Sequence, residues 1–174
     1  WEARPSMPTA RAGLGAAWVP SINTIFVVGG RDATSPHSGN PLDVVEAYDV
    51  AAGTWSTKTP MPIAMMDVYS TVYYDQTGKI YVIGGYDGGA VSPVVQRYDI
   101  ATDTWDFGAP MPTPRSNLLA GICNGNIHAI GGYDNNVGEI TVNEAYDPLT
   151  NTWSVGWSPL PNEGSEFMTQ GTWT

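Results

Sequence analysis

Three short, mostly apolar runs set the rhythm of the chain, and each closes on a pair of glycines. They read TIFVVGG ending at Gly29-Gly30, KIYVIGG ending at Gly84-Gly85 and NIHAIGG ending at Gly131-Gly132. Runs of this length bounded by turn residues predict β-strands, and nothing with a helical period accompanies them. A Tyr-Asp pair follows each run, at Tyr48-Asp49, Tyr98-Asp99 and Tyr146-Asp147, and a Trp stands 7 residues after each Tyr, at Trp55, Trp105 and Trp153. The distance from the first glycine to Tyr is 19, 14 and 15 residues, so the first copy carries an insertion in that loop. Self-similarity of this kind has to be settled before any fold is drawn, because each copy is one supersecondary unit stacked on the next.

The turns between the expected strands repeat as well. The connection into each Trp strand reads DVAAGTW, DIATDTW or DPLTNTW. The residue two before Trp is Gly53, Asp103 or Asn151, the three types that best tolerate a left-handed backbone. The Asp that opens each turn can accept the turn's own N–H groups, so these carboxylates read as turn chemistry and not as catalysts. The loop 75–78 with its closing Gly78, and Asn124-Gly125, predict hairpin turns between first and second strands. The diglycines read as points where backbones crowd without a Cβ. A phosphate-cradling loop would need a helix N-terminus after it, and none is expected.

The combined GG, YD and W marks, at a Trp spacing of 54, 50 and 48 residues counted from Trp1, resemble the kelch repeat. The resemblance implies an all-β kelch β-propeller of four-stranded antiparallel blades. Residues 1–10 match the outermost strand of a preceding blade, 11–62 blade one, 63–112 blade two, 113–161 blade three, and 162–174 the first strand of a following blade. Three complete blades fall short of a closed ring of roughly 4–8. The chain therefore reads as a window on a longer propeller, with a self-assembling half-propeller as the rival. Further kelch blades of the same chain, or a second copy, are the expected structural partners.

Composition narrows the function. Seven Lys and Arg stand against 17 Asp and Glu, a net charge of −10, which argues against nucleic acid and anionic lipid. No apolar run is long enough to span a bilayer, so direct membrane insertion is not expected. Cys123 is the only cysteine; it excludes an intrachain disulfide or a Cys-based zinc cluster, and its LLAGIC context predicts a small buried residue. The scarcity of Lys and the Thr, Gly and Trp content resemble extracellular or cell-surface kelch proteins of prokaryotes, with a cytoplasmic setting as the alternative.

In such a blade the second-to-third strand loop and the blade-to-blade loop emerge at the same end, where recognition residues collect. The blade-to-blade loops read PTAR, PIAM, PTPR and PNEG, with Arg at two of four equivalent positions. The expected binding end is Arg11, Arg31, Asp32, His37, Asp67, Tyr86, Asp87, Arg115, Asn117, Tyr133, Asp134 and Asn135, a polar, aromatic ring suited to a protein or glycan partner. Arg115 and Tyr133 are expected to be replaceable by Ala with little loss of stability. Some kelch-fold propellers are copper oxidases and others rearrange sugars such as sialic acid. The oxidases use two His, two Tyr and a Tyr–Cys cross-link, whereas only His37 and His128 occur here. No catalytic residue, metal site or cofactor is therefore assigned, and a non-catalytic binding, adhesion or structural module of a larger protein is the leading expectation. A sugar-directed propeller enzyme is the alternative.

Overall fold

The computed structural model describes residues 2–32 and 39–159. Twelve strands form three four-stranded antiparallel sheets. Blade one runs Gly15–Val19, Thr24–Val28, Val45–Asp49 and Thr54–Thr57. Blade two runs Thr71–Tyr74, Lys79–Ile83, Val95–Asp99 and Thr104–Gly108. Blade three runs Leu119–Cys123, Asn126–Ile130, Asn143–Asp147 and Thr152–Ser154. One three-residue 3₁₀ turn, Pro20–Ile22, is the only helical element among the described residues. The apolar pattern predicts first strands over 13–19 and 68–74 and third strands over 43–48 and 91–98; the observed ones start two to four residues later, since the ladder forms only where a partner strand lies opposite. Residues 2–10 carry no strand, because no neighbouring strand pairs with them. The expected strand in 162–174 lies outside the described residues.

The blades stack face to face, and the core lies between them. Phe26, Val28 and Ala47 of blade one meet Ile80, Val82 and Tyr98 of blade two in one buried cluster. Tyr81, Ile83 and Val95 of blade two meet Ile127, Ala129 and Tyr146 of blade three in a second. Each large side chain buried this way contributes roughly 1.5–3 kcal/mol, so most of the stability sits at blade interfaces. The diglycines make that stacking close. A Cβ on Gly84 would stand 2.4 Å from the Arg115 carbonyl oxygen, and one on Gly29 would stand 2.6 Å from that of Met65. The second glycine of the first two pairs uses the proximity: Gly30 N–H donates to Met65 O at 2.9 Å and Gly85 N–H to Arg115 O at 3.1 Å.

Each repeated aromatic ties its blade to the segment before it. Trp105 Nε1 donates to Thr59 O at 2.9 Å, Trp153 Nε1 to Ala109 O at 2.8 Å and Trp55 Nε1 to Pro5 O at 3.0 Å. The three Trp sit in equivalent, mostly buried places, each ring packed against the Tyr of the same blade. Asp103 and Asn151 take up the left-handed turn position at φ +54° and +57°. Their side chains accept both the Tyr hydroxyl of their own blade, at 2.5 and 2.6 Å, and a backbone N–H of the preceding outer strand, from Thr59 at 2.9 Å and Ala109 at 2.7 Å. In blade one the same two places hold Gly53, which has no side chain, and Pro5, which has no N–H. The Tyr48 hydroxyl is consequently buried without a partner.

Cys123 departs from expectation, being exposed. It occupies the register position of Val19 and Tyr74 at the end of a first strand. Those two are buried because a further blade covers them, and among the described residues none covers this face of blade three.

Candidate functional site

Loops of all three blades converge at one end of the stack. The residue after each diglycine folds back on the blade's entering loop, pairing Arg31 with Ala12, Tyr86 with Met66 and Tyr133 with Ser116. The next equivalent set, Gly13, Asp67 and Asn117, has positive φ of 62°, 58° and 55°. These three join blade to blade: Asp67 N–H donates to Gly13 O at 2.8 Å and Asn117 N–H to Asp67 O at 3.2 Å. The backbone of this end is thereby fixed, and its side chains are free to differ.

Arg31 and Asp67 form an ion pair at 3.0 Å that bridges blades one and two. Burial pushes the Asp67 carboxyl above its usual range, and Arg31 opposes that shift. Tyr69, absent from the sequence-derived set, stands beside this pair and is 38% exposed. Burial and then the Asp67 charge raise its phenol. Its signal in the sequence is one extra residue, since 7 positions separate Asp67 from Tyr74 and 6 separate Gly13 from Val19 and Asn117 from Cys123. Tyr86 is half-buried and Tyr133 is 43% exposed, while Asn117 and Asn135 are exposed.

The three loop carboxylates hold their own loops. Asp32 accepts the Asn40 backbone N–H and Nδ2, both at 3.1 Å. Asp87 accepts N–H groups of Gly89 and Ala90, each at 2.8 Å, and these bonds hold its carboxyl below the usual range. Asp134 accepts those of Asn136 at 2.7 Å and Val137 at 3.2 Å. What they present outward is charge and loop shape. His37 lies outside the described residues.

Arg11 and Arg115 do not line this surface, which corrects the expectation drawn from the PTAR and PTPR loops. Both side chains are 0% exposed. Arg115 Nη1 pairs with Glu144 at 2.5 Å, and its Nη2 donates to Ala129 O at 2.9 Å. Arg11 pairs with Glu46 at 2.8 Å and donates to Val27 O at 3.2 Å. Thr9 and Thr113 donate to the second carboxylate oxygen of Glu46 and Glu144, each at 2.7 Å. Blade two replaces the whole set: Met65 stands for Arg, and Gln96 for Glu, exchanging hydrogen bonds with the Ile63 backbone at 2.9 and 3.0 Å. The missed partner was legible, because the residue two before each Tyr reads Glu46, Gln96 and Glu144 in step with Arg11, Met65 and Arg115.

His128 is remote from the loop end. Its Nδ1 lies 3.1 Å from Asn143 Oδ1 and its ring packs against Trp157. Among the described residues, no three His, Cys, Asp or Glu side chains are grouped to hold a metal ion. No helix there is long and apolar enough to cross a membrane.

The Kelch motif is matched three times, by residues 23–62, 76–112 and 114–156. The chain belongs to the kelch-repeat family. Among kelch relatives, Kelch repeat and BTB domain-containing protein 8 of Danio rerio is 31% identical over 86% of this chain and 23% of its own length. The Homo sapiens protein of that name is 32% identical over 88% of this chain and 24% of its own. The F-box protein AFR of Arabidopsis thaliana is 34% identical over 63% of this chain and 30% of its own. This kelch segment thus spans a quarter to a third of those proteins. Their names are those of BTB and F-box proteins of animals and a plant, and the leaning toward extracellular prokaryotic proteins gains nothing from them. A solved structure, that of YjhT, superposes with a TM-score of 0.78 over 93% of this chain and 56% of its own, at 16% identity, which establishes the shared kelch propeller fold.

Proposed function

We propose that this kelch segment is a non-catalytic binding module whose loop end receives a protein partner. The observation that carries the reading is the division of labour at that end. The backbone is locked by blade-to-blade hydrogen bonds, the loop carboxylates are turned onto their own N–H groups, and Tyr69, Tyr133, Asn117 and Asn135 are exposed beside the partly buried Tyr86 and Arg31–Asp67 pair. Aromatic and Arg side chains on a rigid frame are the groups that most often dominate protein recognition. Tyr also suits sugar stacking, so a glycan is the outcome the test must separate. Screening the chain on peptide and glycan arrays decides between them. A peptide hit should weaken about tenfold on Tyr86→Ala and Tyr133→Ala while the melting temperature stays unchanged. Hits only on glycans would overturn the protein reading.

We also propose that further kelch blades, from the same chain or a second copy, cover the exposed face of blade three around Cys123 and His128. The equivalent faces of blades one and two are buried by their neighbours, which supports this reading. Light scattering of the 174-residue chain tests the source. A monodisperse dimer would indicate a second copy, whereas self-association without a defined stoichiometry would indicate blades of a longer chain.

A further inference from the structure

The two blade interfaces are built on the same register, yet one is filled and the other is open. Between blades two and three the wedge toward the strand-turn end holds Tyr74, Tyr81 and an ion cluster. Tyr74 Oη donates to Gly125 O at 2.9 Å, and Asp106 binds Lys79 at 2.8 Å and Arg97 at 2.6 Å. Between blades one and two the matching positions are Val19 for Tyr74, Phe26 for Tyr81, Thr24 for Lys79, Ala47 for Arg97 and Ser56 for Asp106. All five are smaller, and none of them carries a charge. A cleft of about 520 Å³ remains, within the range of small-molecule sites.

Its walls are amphipathic. Ile22, Phe26 and Ile100 offer apolar surface, Thr24 and Ser56 offer hydroxyls, and Lys58 stands at the edge. Six of the seven Lys and Arg residues lie within 4.0 Å of a carboxylate; among the described residues Lys58 is the exception. The nearby acids, Asp49 in the cleft wall and Asp103, which feels the Lys58 charge, take their hydrogen bonds from other groups. Asp49 accepts from the Ala51 and Ala52 N–H groups, and Asp103 from Tyr98 Oη and Thr59 N. In a chain of net charge −10, an ammonium with no carboxylate within 4.0 Å, beside an apolar cleft, is a built-in anion position.

We propose that this cleft is a second ligand site, taking a small molecule with a flat apolar body and one carboxylate. The body slides between the blades against Phe26 and Ile100, and the carboxylate meets Lys58. The site lies at the end opposite the partner-binding loops, so its failure and theirs are independent.

Titration of the full 174-residue chain with phenylacetate and indole-3-acetate by calorimetry and ligand-observed NMR tests this, with phenylacetamide as the uncharged control. The acids should bind at least tenfold more tightly than the amide. Lys58→Met should remove that preference, and Lys58→Arg should retain it. Ala47→Arg with Ser56→Asp, which rebuilds the filled interface, should abolish binding altogether; if that variant melts early, Lys58→Met decides alone. Absence of binding at millimolar acid, or equal binding of acid and amide unaffected by Lys58→Met, would overturn the proposal.

Discussion

At the scale of single residues, the two arginines that looked like surface ligands are the most constrained charges in the molecule. A charge at 0% exposure is tolerated because its carboxylate partner and backbone carbonyls replace the lost water. Arg115→Ala should therefore cost about 3–5 kcal/mol by leaving Glu144 buried and unpaired. Arg115→Met with Glu144→Gln, which copies blade two, should recover most of that loss in urea unfolding. A second residue-scale prediction concerns pH. The Tyr98 hydroxyl bond holds the Asp103 carboxyl below its usual range, while burial and that same bond push the Tyr98 phenol up. The Asp103 contribution is complete above about pH 4 and is lost as pH falls through the lowered value. That of Tyr98 is complete below about pH 10 and is lost as pH rises through the raised value. Melting curves of Tyr98→Phe should accordingly show shallower acid and alkaline slopes than the parent.

At the scale of elements, the strand and turn pattern was almost wholly legible, because each mark in the repeat has a local cause. Gly53, Asp103 and Asn151 are left-handed, and Asp49, Asp99 and Asp147 accept their own turns' N–H groups, as residue type alone dictates. What was hidden is what depends on the neighbouring blade. Nothing local to LLAGIC says that its face has no cover among the described residues, and nothing in PTAR says that Glu46 waits inside. Two glycines separate these kinds of cause by experiment. Gly78 and Gly84 share nearly the same φ, +66° and +69°, but a Cβ on Gly78 meets nothing within 4 Å. Gly78→Ala should cost roughly 1 kcal/mol, the backbone strain alone. Gly84→Ala adds the collision with the Arg115 carbonyl and should cost more than about 3 kcal/mol by chemical denaturation.

At the scale of the whole molecule, blades are joined by nearest-neighbour contacts, so stability is a chain of interfaces more than a single core. Cys123 reports on the face that no described residue covers: it should react with a thiol reagent at close to the rate of a free cysteine, and slow sharply once a further blade covers it. Mass spectrometry after timed labelling reads both. The link before blade one differs from the others, since Pro5 offers no N–H where Thr59 and Ala109 do, and Gly53 offers no acceptor where Asp103 and Asn151 do. The two absences belong together: an acceptor at position 53 would face a proline ring instead of a donor. The repeats are therefore not spare parts for one another. A blade transplanted from the second position to the first would arrive with an aspartate that has lost half its bonding, and shuffling these modules would have to move each turn together with the strand that precedes it.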